Sequence, residues 1–161
     1  MTRDLSRLFR PKSIAVVGGG AWCQQVIRQS ERMEYEGAIW PVHPKADVIS
    51  GHAVFKSLED LPAAPDAAFI GINRHATIEA VSVLSRMGAG GSVCFASGFS
   101  EAVAEDATGG DLQEQLIAAA GDMPILGPNC YGFVNGLDGA LLWPDQHGCA
   151  RVESGVAILT Q

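Results

Sequence analysis

The chain has 161 residues, of which 47% are hydrophobic and 18% charged, with a formal net charge of −7. This length fits one domain with a sizeable core, and the composition excludes a disordered chain. The acidic balance speaks against a nucleic-acid partner, which needs a basic field. It leaves open a phosphorylated small molecule, because backbone N–H groups can hold phosphate on an acidic protein.

Residues 4–9 read as a short helical lead-in with Leu5, Leu8 and Phe9 on one side, stopped by Pro11. Residues 13–17 (S-I-A-V-V) form a continuous apolar run ending in Gly18-Gly19-Gly20, the pattern of a short strand covered on both faces of a parallel sheet. A helical pattern follows over about 22–35, closed by Gly37, and residues 38–42 (A-I-W-P-V) read as a second strand. Pro41 places that strand at an edge or near its own end. Residues 53–55 are expected to add a brief edge strand, and Ser57 to cap a helical turn before Pro62. Strands are then expected over 67–72, 92–96 and 124–126, with helices over 75–87 and 111–120 between them. Strands alternating with helices of this length predict an α/β fold: a Rossmann-like, doubly wound, mainly parallel sheet with helices on both faces.

Beyond Gly132 the sequence reads as irregular as far as Ser154, and residues 155–161 (G-V-A-I-L-T-Q) as a buried strand cut off at its end. The expected division is a domain over 1–135, with 136–161 as linker and first strand of a following domain that is absent from the chain. The cysteines at 23, 94, 130 and 149 form no C-x-x-C pair, which points to reduced thiols rather than disulfides or zinc. The N-terminus lacks the apolar core of a signal peptide, and no apolar run reaches the roughly eighteen residues that span a bilayer. A cytoplasmic protein with no membrane partner is expected.

The candidate chemistry lies at the strand ends. A strand running through Gly18, Gly19 and Gly20 into a helix at Ala21 and Trp22 aims backbone N–H groups and a positive helix end at a phosphate. Against the fingerprint G-x-G-x-x-G it supplies two glycines and then Cys23, so a plain strand-to-helix turn is the competing reading. A dinucleotide site also wants a carboxylate after the second strand. The sequence has His43-Pro44-Lys45 there and no acid before Asp47. Lys45 suits a ribose phosphate, or is simply a solvated lysine. Asn73 and the turn Phe95-Ala96-Ser97-Gly98 add polar groups at neighbouring strand ends. His43, His52, His75 and His147 show no metal-ligand spacing, and no G-x-S-x-G marks a nucleophile. No metal ligand and no catalytic residue is expected in the chain.

Five segments in order together resemble the CoA-binding domain of the NDP-forming acyl-CoA synthetases, the family of the succinyl-CoA synthetase α subunit. They are the opening L-F-R-P-K-S-I-A-V-V-G at 8–18, the W-P-V-H-P-K at 40–45 (similar to the family's Y-P-V-N-P-K), the S-L-E-D-L-P at 57–62, the S-G-F-S-E at 97–101, and the L-G-P-N-C-Y-G at 126–132. The resemblance implies coenzyme A as cofactor, with residues 18–22 facing its phosphates and Lys45 near its adenosine end. It also implies that Asn73 and Phe95, Ala96, Ser97 and Gly98 line the remainder. Further domains or subunits are implied as partners: one carrying a phosphohistidine, which none of the four histidines here matches, and an ATP-grasp domain. The glycine loop is about four residues shorter than the family's G-A-S-x-x-P-G-x-x-G and brings in Trp22. An NAD(P)-binding fragment of an oxidoreductase and a stand-alone CoA or nucleotide sensor are the rival readings. Fold alone does not separate the three.

Overall fold

In the computed structural model, which describes residues 3–102 and 109–160, the apolar runs form a five-stranded parallel sheet. Its strands are β1 (Ser13–Val17), β2 (Ala38–Val42), β5 (Ala67–Ile70), β6 (Ser92–Cys94) and β7 (Ile125–Leu126). They lie in the order β2-β1-β5-β6-β7, which puts β2 at the edge where Pro41 costs no central ladder bond. The chain runs outward from β1 to β2, then crosses back to β5 on the other side. The topological switch point therefore lies between β1 and β5.

The sheet is covered on both faces, as its continuous apolar strands require. On β1, Ile14 and Val16 point to the layer holding Leu8 of α1 (Ser6–Phe9) and Val26 and Ile27 of α2 (Ala21–Arg32). Ala15 and Val17 point the other way, to Val81 and Leu84 of α3 (Arg74–Met87) and to Leu112 and Leu116 of α4 (Gly109–Ala120). Ser57 closes a capping box with Asp60 over the 3₁₀ turn Leu58–Asp60, as its sequence predicts.

Three expectations need correction. The edge strand expected over 53–55 is instead a small hairpin of β3 (Val48–Ile49) and β4 (His52–Ala53), while Phe55 only bridges Val42. The stretch read as irregular after Gly132 contains a second antiparallel hairpin, β8 (Phe133–Asn135) and β9 (Ala140–Leu142). Asn135 organises its turn: Oδ1 accepts from the Leu137 and Asp138 N–H groups, and Nδ2 donates to Phe9 O at 2.9 Å. β9 is fully buried and packs on α2, where Ser30 Oγ donates to Val26 O and Leu141 O. Residues 155–160 form no strand and are not buried. Val156, Ile158 and Leu159 are 90%, 85% and 94% exposed, because no neighbouring strand or helix of the described chain covers them. Gln161 lies outside the described residues.

Candidate functional site

Parallel strands bring all their following loops to one edge of the sheet, and the sequence-predicted site residues all fall there. After β1, Gly18 has φ +120°, and a Cβ at this position would lie 2.9 Å from both Gly71 O and Cys23 Sγ. Only glycine fits that turn. A Cβ on Gly19 would lie 2.8 Å from Cδ2 of His43, which follows β2. Gly20, the N-cap of α2, faces open space with nothing within 4 Å of a built Cβ. It offers no capping side chain, and the first turn of α2 carries no acid. Among the described residues the N–H groups of Ala21 and Trp22 therefore have neither an intrahelical nor a side-chain acceptor, and the helix dipole leaves them positive.

Cys23 stands where a dinucleotide fingerprint has its third glycine, and the structure shows how the close helix–sheet approach survives. Its buried Sγ donates towards Val17 O at 3.5 Å and Gly71 O at 3.7 Å. A Cβ on Gly71 would sit 2.5 Å from that sulfur. The small residue that lets helix and sheet approach here is Gly71, in the loop after β5. Burial pushes the Cys23 thiol up to about 11, so it is a packing group rather than a nucleophile.

The other predicted residues divide into groups. Asn73 caps α3, its Oδ1 accepting from Ala76 N at 3.1 Å, so only its amide N–H₂ is left to face a ligand. The turn from Phe95 to Gly98 is clamped from two sides. Arg74 Nη1 donates to Gly98 O at 2.7 Å, and Gly98 N donates to Glu101 Oε1 at 2.8 Å. Ser97 is exposed, Ala96 O accepts from Asn129 N at 2.9 Å, and Phe95 is half-buried. Trp22, 45% exposed, places its ring 5.4 Å from Phe95, and Tyr131 lies 5.6 Å from Phe95, so the first and last loops of the edge meet over β6. Lys45 is exposed beside His43 at the other end.

Sequence reasoning missed Gly71, Arg74 as the clamp on Gly98, and Tyr131. All three act through contacts distant in sequence: Arg74 and Tyr131 follow predicted strands, whereas Gly71 falls inside the strand expected over 67–72, which ends at Ile70 in the structure. The depressions lined by Arg10, Asp138 and Arg151, and by Arg7, Gly90 and Pro124, lie elsewhere. Their cations are already paired, Arg10 with Asp138 and Arg7 with Asp66. Among the described residues no group of three His, Cys, Asp or Glu side chains could hold a metal ion, and no helix is long and apolar enough to cross a membrane.

A family model described as the CoA binding domain matches residues 12–136. Among curated proteins, the chain is 37% identical over 137 residues to a trans-feruloyl-CoA synthase of an unknown prokaryotic organism, covering 83% of this chain and 19% of the relative. It is 31% identical over 138 residues to the ADP-forming acetate–CoA ligase II of Archaeoglobus fulgidus, covering 82% of this chain and 20% of the ligase. Among solved structures, the dinucleotide-forming acetyl-coenzyme A synthetase 1 of Ca. Korarchaeum cryptofilum, in complex with phosphate and ADP, superposes with a TM-score of 0.79. That match has 27% identity and covers 88% of this chain and 31% of the synthetase. The chain thus spans about a fifth of the length of these two curated relatives.

Proposed function

The chain belongs to the CoA-binding domain family, and from that premise we propose that it holds coenzyme A across the carboxyl edge of its sheet as one unit of an NDP-forming acyl-CoA synthetase. The observation that carries the proposal is the uncapped N-terminus of α2, opened by Gly18–Gly20 at the switch point between β1 and β5. The residues present fit the cofactor. The N–H groups of Ala21 and Trp22, unpartnered among the described residues, would take a phosphate, and Gly20 leaves the approach clear. Lys45, two residues beyond His43, would meet the ribose phosphate. The amide of Asn73 and the clamped backbone from Phe95 to Gly98 would line the arm. CoA supplies the thiol that carries the acyl group, and this chain's residues orient it.

The same reading assigns the phosphohistidine and ATP-grasp functions to further domains or subunits. Because β9 packs into the domain core, the linker of this reading begins after Leu142 rather than at residue 136, and its last residues would supply a first strand towards such a domain, a role that suits the exposed Val156, Ile158 and Leu159. It also puts the protein in the cytoplasm, where its four free cysteines stay reduced. An NAD site is disfavoured, because the first carboxylate after β2, Asp47, is bound to Lys56 at 2.7 Å.

The test is calorimetric titration of the parent and Lys45→Ala with CoA, dephospho-CoA and NAD. The parent is expected to bind CoA more tightly than NAD, and Lys45→Ala to weaken CoA more than dephospho-CoA. Tighter binding of NAD than of CoA would overturn the assignment.

A further inference from the structure

The histidine after β2 makes two hydrogen bonds that fix its chemistry. His43 Nδ1 accepts from Lys45 N at 3.2 Å and from Ala46 N at 3.0 Å. Backbone N–H groups can only donate, so Nδ1 carries no proton and the ring is the neutral tautomer with its hydrogen on Nε2. Among the described residues that nitrogen has no acceptor within hydrogen-bond distance. It lies on the glycine turn: a Cβ built on Gly19 would be 3.1 Å from Nε2. The ring is half-buried and its backbone is held by His43 N donating to Phe55 O at 2.9 Å, so the donor is positioned rather than loosely tethered.

We propose that His43 Nε2–H is a phosphate-binding donor of this site, directed at the phosphoryl oxygen of CoA that lies over Gly19. The inference rests on the reading of the edge as a CoA cradle and adds a side-chain donor to the backbone N–H groups of the glycine turn. One ring does two jobs. Nδ1 organises the turn that presents Lys45, as an asparagine Oδ1 could, and Nε2 reaches beyond what an asparagine amide could touch. Because the donor is neutral, it contributes direction rather than net charge. The short glycine turn lets the ring approach, since any side chain at Gly19 would strike it.

Two measurements test the role. In the parent protein, two-bond ¹H–¹⁵N spectra of the His43 ring are expected to show the Nε2–H tautomer. The Nε2 resonance is expected to move on adding CoA and to stay in place on adding pantetheine, which has no phosphate. His43→Asn keeps an acceptor for the Lys45 and Ala46 N–H groups. It is expected to melt near the parent while binding CoA about tenfold more weakly, the loss of one hydrogen bond to a charged group. A parent that binds CoA while His43→Asn binds it equally, or while Nε2 stays unmoved, overturns the role of His43 alone. A parent that does not bind CoA overturns the cradle reading and this role with it.

Discussion

Two glycines two positions apart, Gly18 and Gly20, should fail in opposite ways when substituted. Gly18 has φ +120°, and a Cβ there meets Gly71 O and Cys23 Sγ at 2.9 Å and Ile72 Cγ2 at 3.1 Å. Gly18→Ala combines backbone strain of about 1–3 kcal/mol with crowding of about 1–3 kcal/mol, since Gly71 O is backbone and cannot step aside. A sum of about 2–6 kcal/mol lowers the melting temperature by roughly 4–24 °C for a chain of this size. Gly20 has φ −69° and open space around it, so Gly20→Val should cost at most about 1 kcal/mol of cap preference and melt within about 4 °C of the parent. The branched side chain would nevertheless stand where phosphate must approach the N–H groups of α2. We expect CoA affinity to fall at least about tenfold, near 1.4 kcal/mol. Differential scanning calorimetry and titration calorimetry on the two variants separate the effects. If Gly18→Ala melts like the parent, the packing argument is wrong; if Gly20→Val binds CoA like the parent, the phosphate does not sit on this turn.

Two further predictions concern stability. Asp66 accepts from Arg7 Nε at 2.6 Å and from Lys12 N at 2.8 Å. Burial works to raise its carboxyl, but those partners outweigh it and hold it below the ordinary 3.8. The unfolded chain therefore takes up the proton first, and the stabilisation is complete above the ordinary value and lost as pH falls through the lower folded one. Asp66→Asn should cost about 1–3 kcal/mol by urea unfolding at pH 7, with the gap to the parent narrowing below pH 4. A gap that stays constant down to acid would refute the ion-pair account. Leu142, fully buried in β9, should cost about 2–5 kcal/mol when changed to Ala. A near-neutral result in the same assay would mean that the second hairpin is not part of the core.

The sheet was legible because its strands are short apolar runs bounded by glycine or proline. β1 and β2 begin and end where the residue pattern places them, and α3 starts within a residue of its predicted position. The β8–β9 hairpin was not, since three-residue strands carry no period. The burial of Leu141 and Leu142 depends on α2, more than a hundred residues earlier in the chain. At the site, Gly18–Gly20 announce themselves through the strand–glycine–helix order. The packing of Cys23 on Gly71 does not, because each looks unremarkable until Cys23 Sγ is seen against Gly71. Likewise the sequence places Trp22 in the glycine loop, and only the folded chain sets it beside Phe95 and Tyr131.

The placement of coenzyme A is the claim on which the rest depends, and amide chemical-shift mapping of the ¹⁵N-labelled chain during CoA titration tests it directly. The amides of Gly19 to Trp22, Lys45, Asn73 and Phe95 to Gly98 should shift together and saturate with one dissociation constant. Those at the opposite ends of the same strands, such as Lys12, Ala67 and Ser92, should hold still. Shifts confined to that opposite edge, or none at saturating CoA, would contradict the account.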